Sequence, residues 1–205
     1  MKKNIIRKLL LFTILPILLV LAFFGYRFWD SKNTINRWQS AEKYYREGNY
    51  EKASQYIGSN SLPDDPAKLS IIGQTMYSVG SIDKAIEAYR KSYEIKANPE
   101  TKLMIANSYA TKKEYDEAIK IYSELIDSNP NYIQAYINCS ATYRYKSLKE
   151  KAIEVIQEGI KENPNSVLLY QTMVSMTAND KDSGEYKNAI TNLEKLNPND
   201  PLLRQ

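Results

Sequence analysis

Histidine is absent from this 205-residue chain, and cysteine occurs once. The first absence removes the commonest general base and metal-ligating side chain, and with it any Ser-His or Cys-His nucleophile pair. The lone Cys139 excludes an intrachain disulfide and a zinc site built from cysteines. It falls on the apolar stripe of a predicted helix, where packing rather than reactivity accounts for it. The seven glycines are scattered and none follows a predicted strand, so no phosphate-cradling loop is present. Carboxylates such as Asp64, Asp65, Asp116 and Glu117 lie in loops or at helix starts, where solvation and the helix dipole explain them. No catalytic residue, cofactor or metal is expected, and the chain reads as a non-enzyme.

An excess of one charge is also missing from most of the chain. The formal net charge is +4, from 28 basic and 24 acidic residues. Five of the bases and one of the acids lie in residues 1–30, leaving 23 of each sign in residues 31–205. No basic stripe survives that subtraction, which argues against nucleic acid as a partner. Lysine and glutamate alternate along stretches such as Glu150-Lys-Ala-Ile-Glu154, the pattern of a solvated helix face.

What the chain does have is a recurring phrase centred on alanine. It reads Gly48-x-Tyr50-x-x-Ala53-x-x-x-Ile57, then Gly80-x-Ile82-x-x-Ala85-x-x-x-Tyr89 and Lys113-x-Tyr115-x-x-Ala118-x-x-x-Tyr122. The fourth and fifth copies are Ser147-x-Lys149-x-x-Ala152-x-x-x-Ile156 and Gly184-x-Tyr186-x-x-Ala189-x-x-x-Leu193. The alanines are spaced by roughly 32, 33, 34 and 37 residues, a period that marks stacked supersecondary units. Each copy has two halves with apolar residues at helical spacing. Asn98-Pro99, Ser128-Asn-Pro130, Asn163-Pro164 and Asn197-Pro198 punctuate them, because proline cannot continue a helix. Neither helix of a pair can bury its apolar stripe alone, so the hairpins must stack.

Twelve positions before the first four alanines stand the small residues Ala41, Gly73, Ala106 and Ser140, and nine before them the large Tyr44, Met76, Tyr109 and Tyr143. Taken with the alanine, the large residue four later and the closing proline, this resembles the tetratricopeptide-repeat family from about residue 34 to residue 198. Lys149 departs from the pattern, as do the loose connector at residues 57–66 and about three extra residues before Gly184. The expected fold is an all-α solenoid of about five hairpins, at residues 34–65, 66–98, 99–132, 133–166 and 167–198, with a tail at 199–205. Of the 17 tyrosines, Tyr44, Tyr50, Tyr89, Tyr109, Tyr115, Tyr122 and Tyr143 fall at register positions, where a packed ring with a polar tip explains them.

The N-terminus reads as a membrane anchor. Lys2, Lys3, Arg7 and Lys8 precede an uncharged apolar run at residues 9–24, extended by Tyr26, Phe28 and Trp29. The expected organisation is a basic cytoplasmic end at 1–8, a transmembrane helix at 9–29 and a linker at 30–33. A cleaved signal peptide begins in the same way, but residues 19–25 offer no pair of small residues at cleavage spacing. On this reading the chain is a single-pass bacterial membrane protein with the lipid bilayer as one partner and its repeats outside the cytoplasm.

The resemblance implies that first helices line a concave groove for a protein or peptide. Counted from the small residue of each repeat, the partner-facing candidates are Gln74, Tyr77, Asn107, Asn138, Arg144 and Gln171, with Leu103 beside them. Asn107 and Asn138 match positions where peptide-binding members hold a ligand's backbone, a task a carboxamide suits because it donates and accepts. The alternative is that both are simply solvated or cap local turns. Leu103, Leu168 and Thr172 stand where a clamp for acidic C-terminal tails would need cations, which argues against that ligand. The function expected is a scaffold or adaptor, an accessory subunit of secretion or envelope-assembly machinery. The alternatives are a homo-oligomeric structural component or a cytosol-facing import receptor. Leu202 and Leu203 are expected to fold back over the last hairpin, which otherwise ends uncapped.

Overall fold

The computed structural model describes residues 15–57 and 62–204. It divides into two units, Met1–Ser61 and Leu62–Gln205. Among the described residues there is no strand.

The first unit contains α1 (Leu15–Arg46) and α2 (Tyr50–Ile57), which pack on each other. Ala41 and Ala53 are fully buried, and Tyr44 stacks on Tyr56 with centroids 5.4 Å apart. Residues 30–33, expected as a linker, continue the helix, since nothing between Arg27 and Thr34 is proline or glycine.

The membrane reading is corrected here. Among the described residues no helix is long and apolar enough to cross a membrane. Among the described residues the uncharged stretch of α1 runs from Leu15 to Tyr26. Arg27, Asp30 and Lys32 follow within two turns. The basic end at 1–8 and residues 9–14 of the expected span lie outside the described residues. That finding overturns the single-pass membrane placement expected of the chain, and nothing among the described residues shows the bilayer as a partner.

The second unit is a stack of four hairpins. They are α3 (Pro66–Ser78) with α4 (Ile82–Ile95), α5 (Pro99–Thr111) with α6 (Tyr115–Ser128), α7 (Ile133–Tyr145) with α8 (Lys149–Glu162), and α9 (Val167–Thr177) with α10 (Gly184–Leu196). Each second helix also packs on the next first helix, so one core runs continuously from Leu103 to Leu193. Ala85, Ala118, Ala152 and Ala189 are at most 1% exposed, because only a methyl fits where the paired helices touch. Gly73 goes further: a Cβ there would lie 2.5 Å from the Tyr89 ring. Ser140 uses its small side chain differently, donating to the Ala152 carbonyl at 2.8 Å across the hairpin.

In the first four copies of the repeated phrase the first residue proves to be a turn residue, whereas Gly184 of the fifth opens α10. Gly48, Gly80, Lys113 and Ser147 all adopt positive φ, between 61° and 76°. In each turn the N–H of the following residue reaches five residues back, as Ser81 does to Met76 at 2.8 Å and Glu114 to Tyr109 at 3.0 Å. This left-handed closure satisfies carbonyls that the ending helix leaves open. Asn98 and Pro99 both stop α4 and start α5: the Asn98 side chain accepts from the Thr101 N–H at 2.8 Å, and Pro99 takes the first helical position. Asp65 and Pro66 open α3 in the same way.

The tail closes the last hairpin as expected. Pro201–Arg204 forms a short 3-10 turn against α10, and Leu202 and Leu203 pack on the core.

Candidate functional site

Consecutive first helices α5, α7 and α9 touch one another more closely than consecutive second helices do. That places the first helices on the inner side of the curve and makes their outward residues a shared surface. Its central feature is a ladder of side chains joining two repeats. Gln134 Nε2 donates to Asn138 Oδ1 at 2.7 Å, and Asn138 Nδ2 donates to Asn107 Oδ1 at 2.8 Å. Asn107 Oδ1 also accepts from the Tyr122 hydroxyl at 2.6 Å. Asn107 therefore spends its oxygen on the protein, while its amide nitrogen has no partner among the described residues.

Tyr122 comes from the second helix α6 and is 1% exposed, so its ring crosses the hairpin to bring a hydroxyl to the inner face. Burial pushes its phenol well above the usual tyrosine range, the Cys139 thiol and the Tyr77 phenol add to that, and Thr142 and Asn138 work against it. It stays a neutral donor at any physiological pH. Tyr77, on α3, exchanges a 2.7 Å hydrogen bond with Thr111 Oγ1, and Thr111 in turn donates to the Asn107 carbonyl at 2.9 Å. Three repeats thus converge on Asn107.

The other candidates lie away from this centre. Gln74 is half-buried on α3, one turn before Tyr77. Arg144 is exposed at the end of α7 and joins no ion pair among the described residues. Gln171 is committed elsewhere: its amide donates at 2.6 Å to Asp200, whose carboxylate also accepts from Asn197 Nδ2 at 2.9 Å and the Leu202 N–H at 3.0 Å. Those bonds, that from Leu202 foremost, hold the Asp200 carboxyl below its ordinary value. Leu103 is 4% exposed and belongs to the core rather than to the surface.

Reading by register misses Tyr122, Gln134 and Asp200. Tyr122 left a signal, since it puts a hydroxyl where the first, fourth and fifth copies have Ile57, Ile156 and Leu193. Cys139 is buried and its thiol is pushed up to about 12 by that burial, so it is a packing residue.

The tetratricopeptide-repeat family model matches residues 70–99 and 99–132, so the chain carries tetratricopeptide repeats there. No curated protein sequence matches the chain. Among solved structures, MamA from Desulfovibrio magneticus RS-1 superposes with a TM-score of 0.62 at 18% identity, over 82% of this chain and 97% of that one. A double mutant of RS-1 MamA gives 0.61 at 17%, covering 81% and 95%. A further MamA crystal structure gives 0.59 at 20%, covering 81% and 91%. The likeness is one of fold.

Proposed function

We propose that this protein is a non-catalytic scaffold whose inner helical face holds an extended segment of a partner protein, as an accessory subunit of a larger assembly. The observation that carries this reading is the amide ladder Gln134–Asn138–Asn107. It sets carboxamides from neighbouring repeats on one surface, with Asn107 Nδ2 available to a ligand carbonyl. A strand-like peptide presents alternating N–H and C=O groups, which side-chain amides can serve without regard to sequence. Tyr77 and Gln74 extend the surface along α3, and Arg144 offers it one cation. The absence of histidine from the sequence supports a binding role over catalysis.

The test is selection of peptides from a displayed library on the full chain, followed by affinity measurement. Asn138→Ala should weaken a selected peptide by about 1–2 kcal/mol, roughly 5- to 30-fold. The conservative exposed change Glu87→Gln on α4 should leave it alone. Equal binding by Asn138→Ala and the parent protein removes the assignment.

A further inference from the structure

The outer surface carries a second feature, at the junction of the last two hairpins. In the two preceding junctions a lysine just after a first helix reaches back to an aspartate at the start of the previous second helix. Lys112 bonds Asp83 at 2.7 Å, and Lys146 pairs with Asp116. Both lysines stand fourteen residues after the residue that caps their first helix, Asn98 or Tyr132. In the last hairpin the first helix is shorter and is capped at Ala178, so no lysine stands just after it; Asp180 follows two residues on, and the position answering to Asp83 and Asp116 is Glu150. The lysine tether is missing from this junction, and Glu150 and Asp180 instead line one groove of about 320 Å³.

The groove is larger than a single missing ion pair. It continues into a second hollow of about 280 Å³ that shares Gln157 and Glu185 with it. The longer turn before α10 opens it, and Gly184, with nothing within 4 Å of its Cβ direction, leaves it unfilled. Ile153 lines the first hollow, and Ile160 and Met173 the second. Glu154 and Glu185 join Glu150 and Asp180 along the edge, against Lys149 as the one lysine of the lining. No ion pair of the described residues engages these three glutamates. An isolated metal ion does not suit the place, since no group of acidic residues among the described ones is arranged to hold it.

We infer that the groove between α8 and α10 docks a basic segment of a partner protein, whose lysine or arginine sits between Glu150 and Asp180 where earlier junctions use their own lysine. Apolar residues of the same segment cover the half-buried Ile153 and Ile160. Charge complementarity sets the occupant: an apolar floor under an acidic rim desolvates an aliphatic stem while holding its cationic head.

The probe is a fluorescein-labelled peptide of alternating lysine and leucine, with a glutamate-for-lysine counterpart, titrated by anisotropy into the full chain at low and physiological salt. The lysine peptide should bind and weaken as salt rises. Glu154→Gln should weaken it roughly fivefold, and Asp180→Lys, which rebuilds the missing tether, by roughly tenfold or more. Circular dichroism confirms that each variant is folded before its binding is read, and the remote Glu87→Gln serves as the charge-matched control. Equal affinity for the glutamate peptide, unchanged binding by Asp180→Lys, or no binding of the lysine peptide at low salt overturns the inference.

Discussion

Gly73 offers a test in which two effects oppose each other and the structure decides the sign. Glycine in a helix interior is ordinarily a weakness, and alanine there gains about 1 kcal/mol. Gly73 lies inside α3, but a methyl group added to it would meet Tyr89 at 2.5, 2.6 and 2.8 Å. Comfortable carbon contacts are about 3.5–4.0 Å, so the ring must move by roughly 1 Å. Tyr89 is 2% exposed and has no room to yield. Overpacking of this kind costs about 1–3 kcal/mol, and the upper part of that range applies where two rigid groups meet. Gly73→Ala should therefore destabilise by ~1–2 kcal/mol net, a fall of roughly 2–8 °C in melting temperature for a chain of this size. Shrinking the ring should undo the clash. In a double-mutant cycle with Tyr89→Leu, the two changes should couple favourably by ~1 kcal/mol or more. Thermal and urea unfolding followed by circular dichroism measure both quantities. A Gly73→Ala protein that melts higher than the parent, with no coupling to Tyr89→Leu, would refute the reasoning.

Asn107→Ala should lower stability by about 1–2 kcal/mol in urea unfolding, because it removes the acceptor shared by the buried Tyr122 hydroxyl and the Asn138 amide, whereas Asn138→Ala should cost less. Lys113→Gly and Ser147→Gly should each gain roughly 0.5–1 kcal/mol, since the left-handed strain they relieve exceeds the added freedom of the unfolded chain; a loss in thermal melts would contradict the turn assignment. Cys139 should resist a thiol reagent at pH 8 until denaturant unfolds the stack, and prompt labelling of the native protein would show that it is not buried. The Asp200 carboxyl is held below its ordinary value, so its contribution to the tail is present above about pH 4 and lost as pH falls further. Proteolysis at the C-terminus should therefore quicken on acidification in the parent, and an Asp200→Asn variant should show no such step.

The repeat period, the paired helices and their turns follow from the sequence alone, because each repeat obeys the same local rule. A small residue must face a large one, a left-handed residue closes the turn in the first four copies, and a proline must separate the hairpins. Gly80 and Pro99 announce their roles by chemistry, and Gly73 does so by falling where Ala41 and Ala106 fall. At the N-terminal side hydropathy does not mark the helix's end: the helix from Leu15 passes through Arg27, Asp30 and Lys32 without a break. Only the tertiary structure decided which polar groups meet. That Asn138 donates to Asn107, that Tyr122 reaches it through a hairpin, and that Gln171 serves Asp200 in the tail all depend on separations of 15 to 31 residues closed by stacking. Periodicity fixes the face on which a side chain emerges, but its hydrogen-bond partner is set by how that helix packs on its neighbours, which the pattern along one helix does not contain.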